Sequence, residues 1–152
     1  KIFDKTQIPK EFNAILNIHF KISNNTKKKF NNEIIGMINS KSQWIFIKDN
    51  YLSVTISDAN IFNEESQEKI SKKIWEEICS FINKEIVMPE YQVIKEKKAT
   101  FVQSPYNFQL IKKINNLPKN LLICGDWTQF SLPCTIEGSI MSGKKSIEFL
   151  NL

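Results

Sequence analysis

The 152-residue sequence has few of the residues and patterns that form metal sites, disulfide scaffolds and membrane-spanning helices. Its cysteines, Cys79, Cys124 and Cys134, are odd in number and form no C-x-x-C pair, which argues against a disulfide framework and a zinc site. No apolar run approaches the roughly 20 residues that a membrane-spanning helix needs. No Ser–His–Asp set, metal cluster or acid pair is identifiable, so we predict no metal site and no nucleophilic chemistry.

The chain also lacks a starting Met and the apolar segment of a signal peptide, which predicts a cytoplasmic fragment of a longer protein. Its formal net charge of +5 comes from lysines spread along the chain and from one run, Lys27-Lys28-Lys29. A lysine run is usually a solvated loop, and a membrane-surface patch is the alternative. No RNA-binding motif or aromatic-interleaved basic stripe accompanies the run, so we predict no nucleic-acid partner.

The residues that are present predict an α/β fold. With 41% hydrophobic and 24% charged residues, the composition is that of a globular domain, or of part of a larger one. Runs rich in isoleucine, valine and aromatic residues predict four strands, at 13–22, 43–47, 52–57 and 91–102. A polar turn at 48–51 predicts a hairpin, and the alternation of Ser53, Thr55 and Ser57 with apolar residues indicates a sheet with one wet face.

Helical periodicity begins near residue 63. Asn63 fits the N-cap position, and isoleucines recur every four residues from Ile70 to Ile82. This pattern predicts an amphipathic, core-packing helix over about 64–86. Ser104-Pro105 and Leu117-Pro118 then bracket a loop-like connection.

The tail differs in composition from the rest of the chain. The segment GDWTQFSLPCTIEGSIMSG, residues 125–143, holds three of the four glycines. It follows a continuously apolar run at 120–124, the pattern of a strand buried on both faces of an α/β sheet. It leads into a closing helix, which we predict over about 134–150.

The order strand, Gly-Asp, turn and helix start has a chemical use. Ligands of α/β sheets bind at the carboxyl ends of strands, where Asp126 lies and can accept hydrogen bonds from hydroxyl groups. Free N–H groups around Cys134, Thr135 and Ile136 open the helix and attract an anion or a polarised carbonyl. Spacing alone leaves open an ordinary strand–turn–helix in which Asp126 caps a turn and Pro133 starts the helix.

The tail resembles the C-terminal FAD-binding segment of the flavin amine oxidase and phytoene desaturase superfamily. It is most similar to the squalene-associated FAD-dependent desaturases, also called hydroxysqualene dehydroxylases, whose tail reads approximately A-G-D-W-T-[DQ]-x-x-L-P-[AS]-T-I-E-G-A-[VI]-x-S-G. The matching positions are Gly125, Asp126, Trp127, Thr128, Leu132, Pro133, Thr135, Ile136, Glu137, Gly138, Ser142 and Gly143. The chain departs from the pattern at Cys124, Cys134 and Ser139. Segments 43–46 and 93–101 also resemble strands of the family, so the likeness covers most of the chain.

The resemblance implies FAD as the cofactor. The cofactor-binding residues that it predicts are Gly125, Asp126, Trp127, Pro133, Thr135 and Ile136. Asp126 would bond the ribityl or pyrophosphate region, with the backbone of the preceding glycine close by. The N–H groups of Thr135 and Ile136 would face the pyrimidine edge of the isoalloxazine, while Trp127 and Pro133 would shape the pocket beside the ring.

The resemblance also implies a division of the chain. Residues 1–102, with a mixed sheet and the helix over about 64–86, would belong to a substrate-binding domain. Residues 103–152 would belong to an FAD-binding domain, and the whole would be the C-terminal portion of a two-domain oxidoreductase. The G-x-G-x-x-G fingerprint that cradles the pyrophosphate is absent from the sequence and would lie in a missing N-terminal Rossmann portion. The chain by itself would then be inactive.

The activity implied is the reductive dehydroxylation of hydroxysqualene to squalene in hopanoid-type lipid synthesis, with reduced FAD supplying a hydride equivalent. Because the polyisoprenoid substrate dissolves in membranes, peripheral contact with the inner membrane is expected. Two other readings stay open. One is a carotenoid desaturase or another flavin amine-oxidase-type enzyme, and the other is a non-catalytic, basic α/β binding module.

A few further side chains are candidates for the substrate site. Trp44 and Phe46 alternate with Ile45 and Ile47, so core packing is the simpler interpretation and an apolar tunnel for a polyisoprenoid is the alternative. His19 lies in an apolar strand, where a packed core or edge position is favoured over a catalytic acid. The sequence identifies no catalytic residue beyond the flavin.

Overall fold

The computed structural model describes residues 10–112, 118, 120–128 and 131–149. This part of the chain is mixed α/β, as predicted. Its strands are β1 (Phe12–Lys21), β2 (Ile34–Gly36), β3 (Trp44–Lys48), β4 (Tyr51–Ile56) and β5 (Tyr91–Phe101). Its helices are α1 (Asn24–Lys27), α2 (Gln67–Phe81), α3 (Pro105–Lys112) and α4 (Ile136–Phe149), with a 3-10 turn at Ala59–Phe62.

The five strands form one sheet in the order β2-β3-β4-β1-β5. The pairs β2–β3, β3–β4 and β4–β1 are antiparallel. β5 lies along the other side of β1, where the Lys21 N–H donates to the Glu90 carbonyl at 2.9 Å. The sheet is therefore antiparallel, not the mixed sheet expected, because a tight hairpin and loop returns connect its strands. The predicted strands and the hairpin are present, whereas β2 was not predicted.

By contacts, the chain separates into two compact units, one of residues 13–99 and one that contains residues 10–12 and the described residues from 100 onward. In the first unit, α2 packs on one face of the sheet. The isoleucine stripe of α2, Ile70, Ile74 and Ile78, is buried against Leu16, Ile18, Phe20, Ile45, Leu52 and Val54. The Trp75 indole N–H donates to the Ile86 carbonyl at 2.8 Å and ties the segment after the helix to this core.

The bounds of α2 differ from the prediction of 64–86. Ser66, not Asn63, is the N-cap, since its side chain accepts the Lys69 N–H. The helix ends at Phe81 because Asn83 adopts a left-handed conformation with φ of 50°. The Asn83 and Lys84 N–H groups then donate to the carbonyls of Ser80 and Cys79, a Schellman arrangement that closes the helix five residues earlier than predicted.

The second unit contains α3 and α4. The Ser104 side chain accepts the Asn107 N–H at 3.2 Å and caps α3, so the predicted loop at Ser104-Pro105 is a helix start. Residues 121–124 are irregular, and the strand predicted for 120–124 is not formed. A strand requires a partner for its backbone groups, and no described strand pairs with this segment. The closing helix is present as α4, with bounds close to those predicted.

Candidate functional site

A closed ring of hydrogen bonds fixes the start of the glycine-bearing tail. The Gly125 N–H donates to the Ser142 hydroxyl at 3.0 Å, and the Thr128 hydroxyl donates to the Gly125 carbonyl at 3.0 Å. The hydroxyl oxygens of Thr128 and Ser142 are 2.6 Å apart. Since a hydroxyl carries one proton and Thr128 gives its proton to Gly125, Ser142 must donate to Thr128. The ring holds the turn after Gly125 against the middle of α4.

Glycine is favoured at position 125 by its φ of 157° and by the close approach of a side chain. A Cβ atom there would lie 3.3 Å from both Cδ1 and Nε1 of Trp127, tighter than ordinary van der Waals contact. The turn therefore packs the half-buried Trp127 indole directly on the Gly125 backbone. Asp126 lies between these two residues in the same turn.

The start of α4 is only partly capped. The Thr135 hydroxyl accepts the Gly138 N–H at 3.1 Å and the Thr135 carbonyl accepts the Ser139 N–H at 3.0 Å, so Thr135 is the N-cap. Among the residues that the structure describes, no acceptor meets the N–H groups of Thr135 and Ile136. Ile136 is 83% exposed. Two donors and the positive end of the helix dipole are thus open to a ligand.

Cys134 links the turn to the start of α4. Its thiol lies beside the Asp126 carboxylate, and its N–H donates to the Gln103 side-chain oxygen at 3.4 Å. Burial, followed by the negative charge and hydrogen bond of Asp126, raises the pKa of the Cys134 thiol to about 11. The thiol therefore stays protonated at neutral pH.

The structure brings the predicted tail residues together in part. Asp126 and the residues around Thr135 meet through Cys134, and Pro133 and Ile136 lie at the exposed entrance to α4. The sequence predicted no role for the side chains of Thr128, Cys134 and Ser142. The available signal was the spacing of Thr128 and Ser142 in the motif, because small hydroxyl side chains at a turn and in a helix interior commonly bond backbone groups.

A second candidate surface is the face of the sheet opposite α2. Ile45 and Ile47 are buried against α2, whereas Trp44 is 49% and Phe46 is 39% exposed. The interpretation of Trp44 and Phe46 as core residues is therefore wrong: alternation along β3 places them on the open face.

His19 lies on this open face as well. It is half-buried, and its Nδ1 atom is 2.8 Å from the Ser53 hydroxyl on the neighbouring strand. His19 was predicted to lie in the packed core or at an edge of the sheet. It lies instead on an interior strand, β1, which is flanked by β4 and β5, and it is hydrogen-bonded there. The polar residues predicted for the wet face, Ser53 and Thr55, also lie here.

Two other kinds of site are not found in the described part of the chain. No group of three or more His, Cys, Asp or Glu side chains is arranged to hold a metal ion among the described residues. In the same residues, no helix is both long enough and apolar enough to cross a bilayer.

Comparison with known proteins gives a consistent set of relatives. No protein-family model matches the chain. A hydroxysqualene dehydroxylase of Rhodopseudomonas palustris is 34% identical over 142 residues, which are 93% of this chain and 33% of that protein. Hydroxysqualene dehydroxylases of Sinorhizobium fredii and Zymomonas mobilis are each 32% identical, over 92% and 93% of the chain and 33% and 34% of the relative.

The chain thus spans about a third of the length of the curated relatives that it matches. The similarity runs through nearly all of the chain, from the sheet to the tail, so it does not rest on the FAD-type motif alone. The chain is a homologue of the hydroxysqualene dehydroxylases over the third of their length that it spans, and the resemblance seen in its sequence is confirmed.

Proposed function

We propose that the chain is the C-terminal part of an FAD-dependent oxidoreductase that reduces hydroxysqualene to squalene in hopanoid or squalene synthesis. The observation that carries the proposal is similarity over 92–93% of the chain to three relatives that bear the name of this activity. Similarity of that extent to enzymes argues against a non-catalytic binding module whose tail alone imitates a flavin motif.

Three features of the tail fit FAD. The Asp126 carboxylate is an acceptor for ribityl or ribose hydroxyl groups, and Gly125 lets the Trp127 indole pack on the backbone beside that carboxylate. The open N–H groups of Thr135 and Ile136 fit the carbonyl and nitrogen of the pyrimidine edge. A helix start in this place would stabilise negative charge on the reduced ring.

Trp127 and Pro133 complete the pocket wall in this proposal. Trp127 is held by its contact with Gly125, and Pro133 lies exposed just before the N-cap of α4. When bound, FAD supplies the hydride chemistry, while the chain orients it and excludes water. The dinucleotide fingerprint for the pyrophosphate would come from sequence outside these 152 residues, in an N-terminal Rossmann portion of the same enzyme.

We further propose that residues 1–102 belong to the substrate-binding domain and residues 103–152 to the FAD-binding domain. The open face of the sheet, with Trp44 and Phe46 exposed, would line the cavity for the polyisoprenoid chain. Because such a substrate partitions into membranes, the enzyme would take it up by peripheral contact with the inner membrane from the cytoplasmic side.

The test is anaerobic turnover by the full-length protein that contains these residues, purified with FAD and supplied with a chemical reductant. Production of squalene from hydroxysqualene supports the proposal. Desaturation of phytoene, with an electron acceptor in place of the reductant, identifies a carotenoid desaturase instead. Failure to bind flavin at all contradicts both readings.

A further inference from the structure

The open face of the sheet changes from apolar to polar along a cross-strand row. Ile34, Phe46, Ser53 and His19 are directly paired neighbours on β2, β3, β4 and β1. Ile34 is 61% exposed and Phe46 is 39% exposed, whereas Ser53 and His19 are half-buried. With about 4.8 Å between strands, the row measures roughly 14 Å from its aliphatic end to its imidazole end.

The next row repeats this order. It consists of Gly36, Trp44, Thr55 and Asn17, again on β2, β3, β4 and β1. The Trp44 ring covers Gly36, where a Cβ atom would lie 3.3 Å from the ring. Together the two rows make an apolar half over β2 and β3 and a hydrogen-bonding half over β4 and β1. A ligand that suits this face has a hydrocarbon body and a single polar group.

The two polar pairs differ in what they can offer a ligand. The Thr55 hydroxyl donates its single proton to the Asn17 side-chain oxygen at 2.7 Å. Ser53 is instead bonded to an imidazole, and His19 Nε2 has no hydrogen-bond partner among the described residues. The Ser53–His19 pair therefore keeps both an open ring nitrogen and a side chain that can transfer a proton.

We propose that Ser53 and His19 bind the hydroxyl group of the polyisoprenoid alcohol, whose hydrocarbon lies over Phe46 and Ile34. This inference rests on the proposed function and assigns the recognition of the alcohol to two residues that the sequence did not single out together. The reaction breaks the C–O bond, and the bonding electron pair leaves with oxygen. Reduced FAD, when bound, would supply the hydride equivalent that replaces the hydroxyl group on carbon, and one proton would turn the departing hydroxide into water. The imidazole of His19 is placed to donate that proton, either directly or through the Ser53 hydroxyl.

The test is binding without turnover, in the full-length, FAD-loaded, oxidised protein with no reductant present. Dissociation constants are measured for hydroxysqualene and for squalene, which differ by the hydroxyl group. We expect wild type to prefer the alcohol, and Ser53→Ala to weaken alcohol binding about tenfold, the size of one lost hydrogen bond, with squalene binding unchanged. Ser53→Thr keeps a hydroxyl and should keep the preference.

The matched control is Thr55→Val, which removes a hydroxyl from the same face of the same strand. An unchanged preference in Ser53→Ala, or an equal loss in Thr55→Val, overturns the inference. Squalene binding reports whether each variant is folded. If Ser53→Ala is not folded, His19→Gln is measured in its place. We expect His19→Gln to weaken binding of the alcohol to the same extent, and an unchanged preference for the alcohol over squalene would contradict the assignment. A wild-type protein that holds FAD but does not convert hydroxysqualene contradicts the proposed function itself, which is a different outcome.

Discussion

Replacing Ser142 with alanine tests whether the hydrogen-bonded ring fixes the turn at Gly125–Thr128, which we propose binds FAD. Ser142 is 5% exposed and belongs to two of the three bonds of the ring. Ser142→Ala leaves the Gly125 N–H without its acceptor and the Thr128 hydroxyl without its donor. Leaving such groups unpaired costs about 1–3 kcal/mol of folding free energy.

The same free energy should appear in FAD binding. In the proposed site, the ring of the wild-type protein holds Gly125 and Asp126 in place before FAD binds, whereas in the variant FAD would have to order the turn itself. A coupling of 1–3 kcal/mol weakens binding by roughly 5- to 150-fold. The assay is titration of the full-length apoprotein with FAD, followed by flavin fluorescence, together with urea unfolding of the same samples.

Ser146→Ala is the matched control, because Ser146 lies one turn along α4 and only donates to the Ser142 carbonyl at 3.0 Å. It should change stability by no more than about 0.5 kcal/mol and leave FAD binding unchanged. Thr128→Val breaks the same ring, so the double variant with Ser142→Ala should lose less than the sum of the two single losses. The reasoning fails if Ser142→Ala binds FAD within about twofold of wild type, a difference of about 0.4 kcal/mol.

Two further predictions concern titratable side chains. Burial raises the pKa of Glu77, but hydrogen bonds from Ser40 and Ser42 outweigh it and the net pKa is lowered; Glu77→Gln should therefore destabilise the protein by about 1–3 kcal/mol at neutral pH. Because the pKa is lowered, the stabilisation by the Glu77 carboxylate is complete above the ordinary carboxyl pKa and is lost as the pH falls through the pKa of the folded state. The free energies of unfolding of wild type and variant, measured in urea, should therefore converge in acid. A difference between them that does not change with pH would contradict the assignment. The Cys134 thiol, with its pKa raised to about 11, should be alkylated by iodoacetamide far more slowly than the exposed Cys124 at about pH 8, as peptide mass mapping would show. Asp126→Asn should accelerate Cys134 labelling, and equal labelling of the two cysteines in wild type would contradict a half-buried thiol held protonated beside an acid.

The sheet and α2 were predictable because their patterns are local. Alternation in β4 and the four-residue spacing from Ile70 to Ile78 each specify one buried face, and the structure has both. Prediction failed for Trp44 and Phe46 because every residue from 44 to 47 is apolar. Such a run has no polar face, so only the position of α2 decides which side is buried.

Helix ends were predicted less well because they depend on single residues. Ser66 and Asn63 are both good N-caps by type, and the bond from the Lys69 N–H to Ser66 selects between them. The Ser104-Pro105 pair predicts a loop by its turn-forming residues, but a proline directly after a serine is also typical of the first turn of a helix. The end of α2 depends on the left-handed conformation of Asn83. Asparagine tolerates this conformation, but its presence in a sequence does not predict it.

In the candidate site, the sequence motif predicted which segment binds a cofactor, but it did not predict the contacts that shape this segment. Gly125, Asp126 and Thr135 were expected near a ligand, and the structure gives them a turn and a helix start joined through Cys134. The role of Ser142 could not be predicted, because it comes from its position opposite Gly125, 17 residues away in the chain. Long-range pairing of this kind has no periodic signature in sequence.

The most direct test of the account is the flavin content and FAD affinity of the full-length protein with and without Asp126→Ala. The account predicts a protein that purifies with FAD and shows flavin absorbance, and a variant that remains folded but binds FAD at least about tenfold more weakly, a loss of about 1.4 kcal/mol. A Glu137→Ala variant, which removes an exposed acid from the first turn of α4, controls for the loss of negative charge and should keep its flavin. A wild-type protein without flavin, or an Asp126→Ala variant that binds FAD as tightly as wild type, would contradict the claim that this tail forms part of an FAD site.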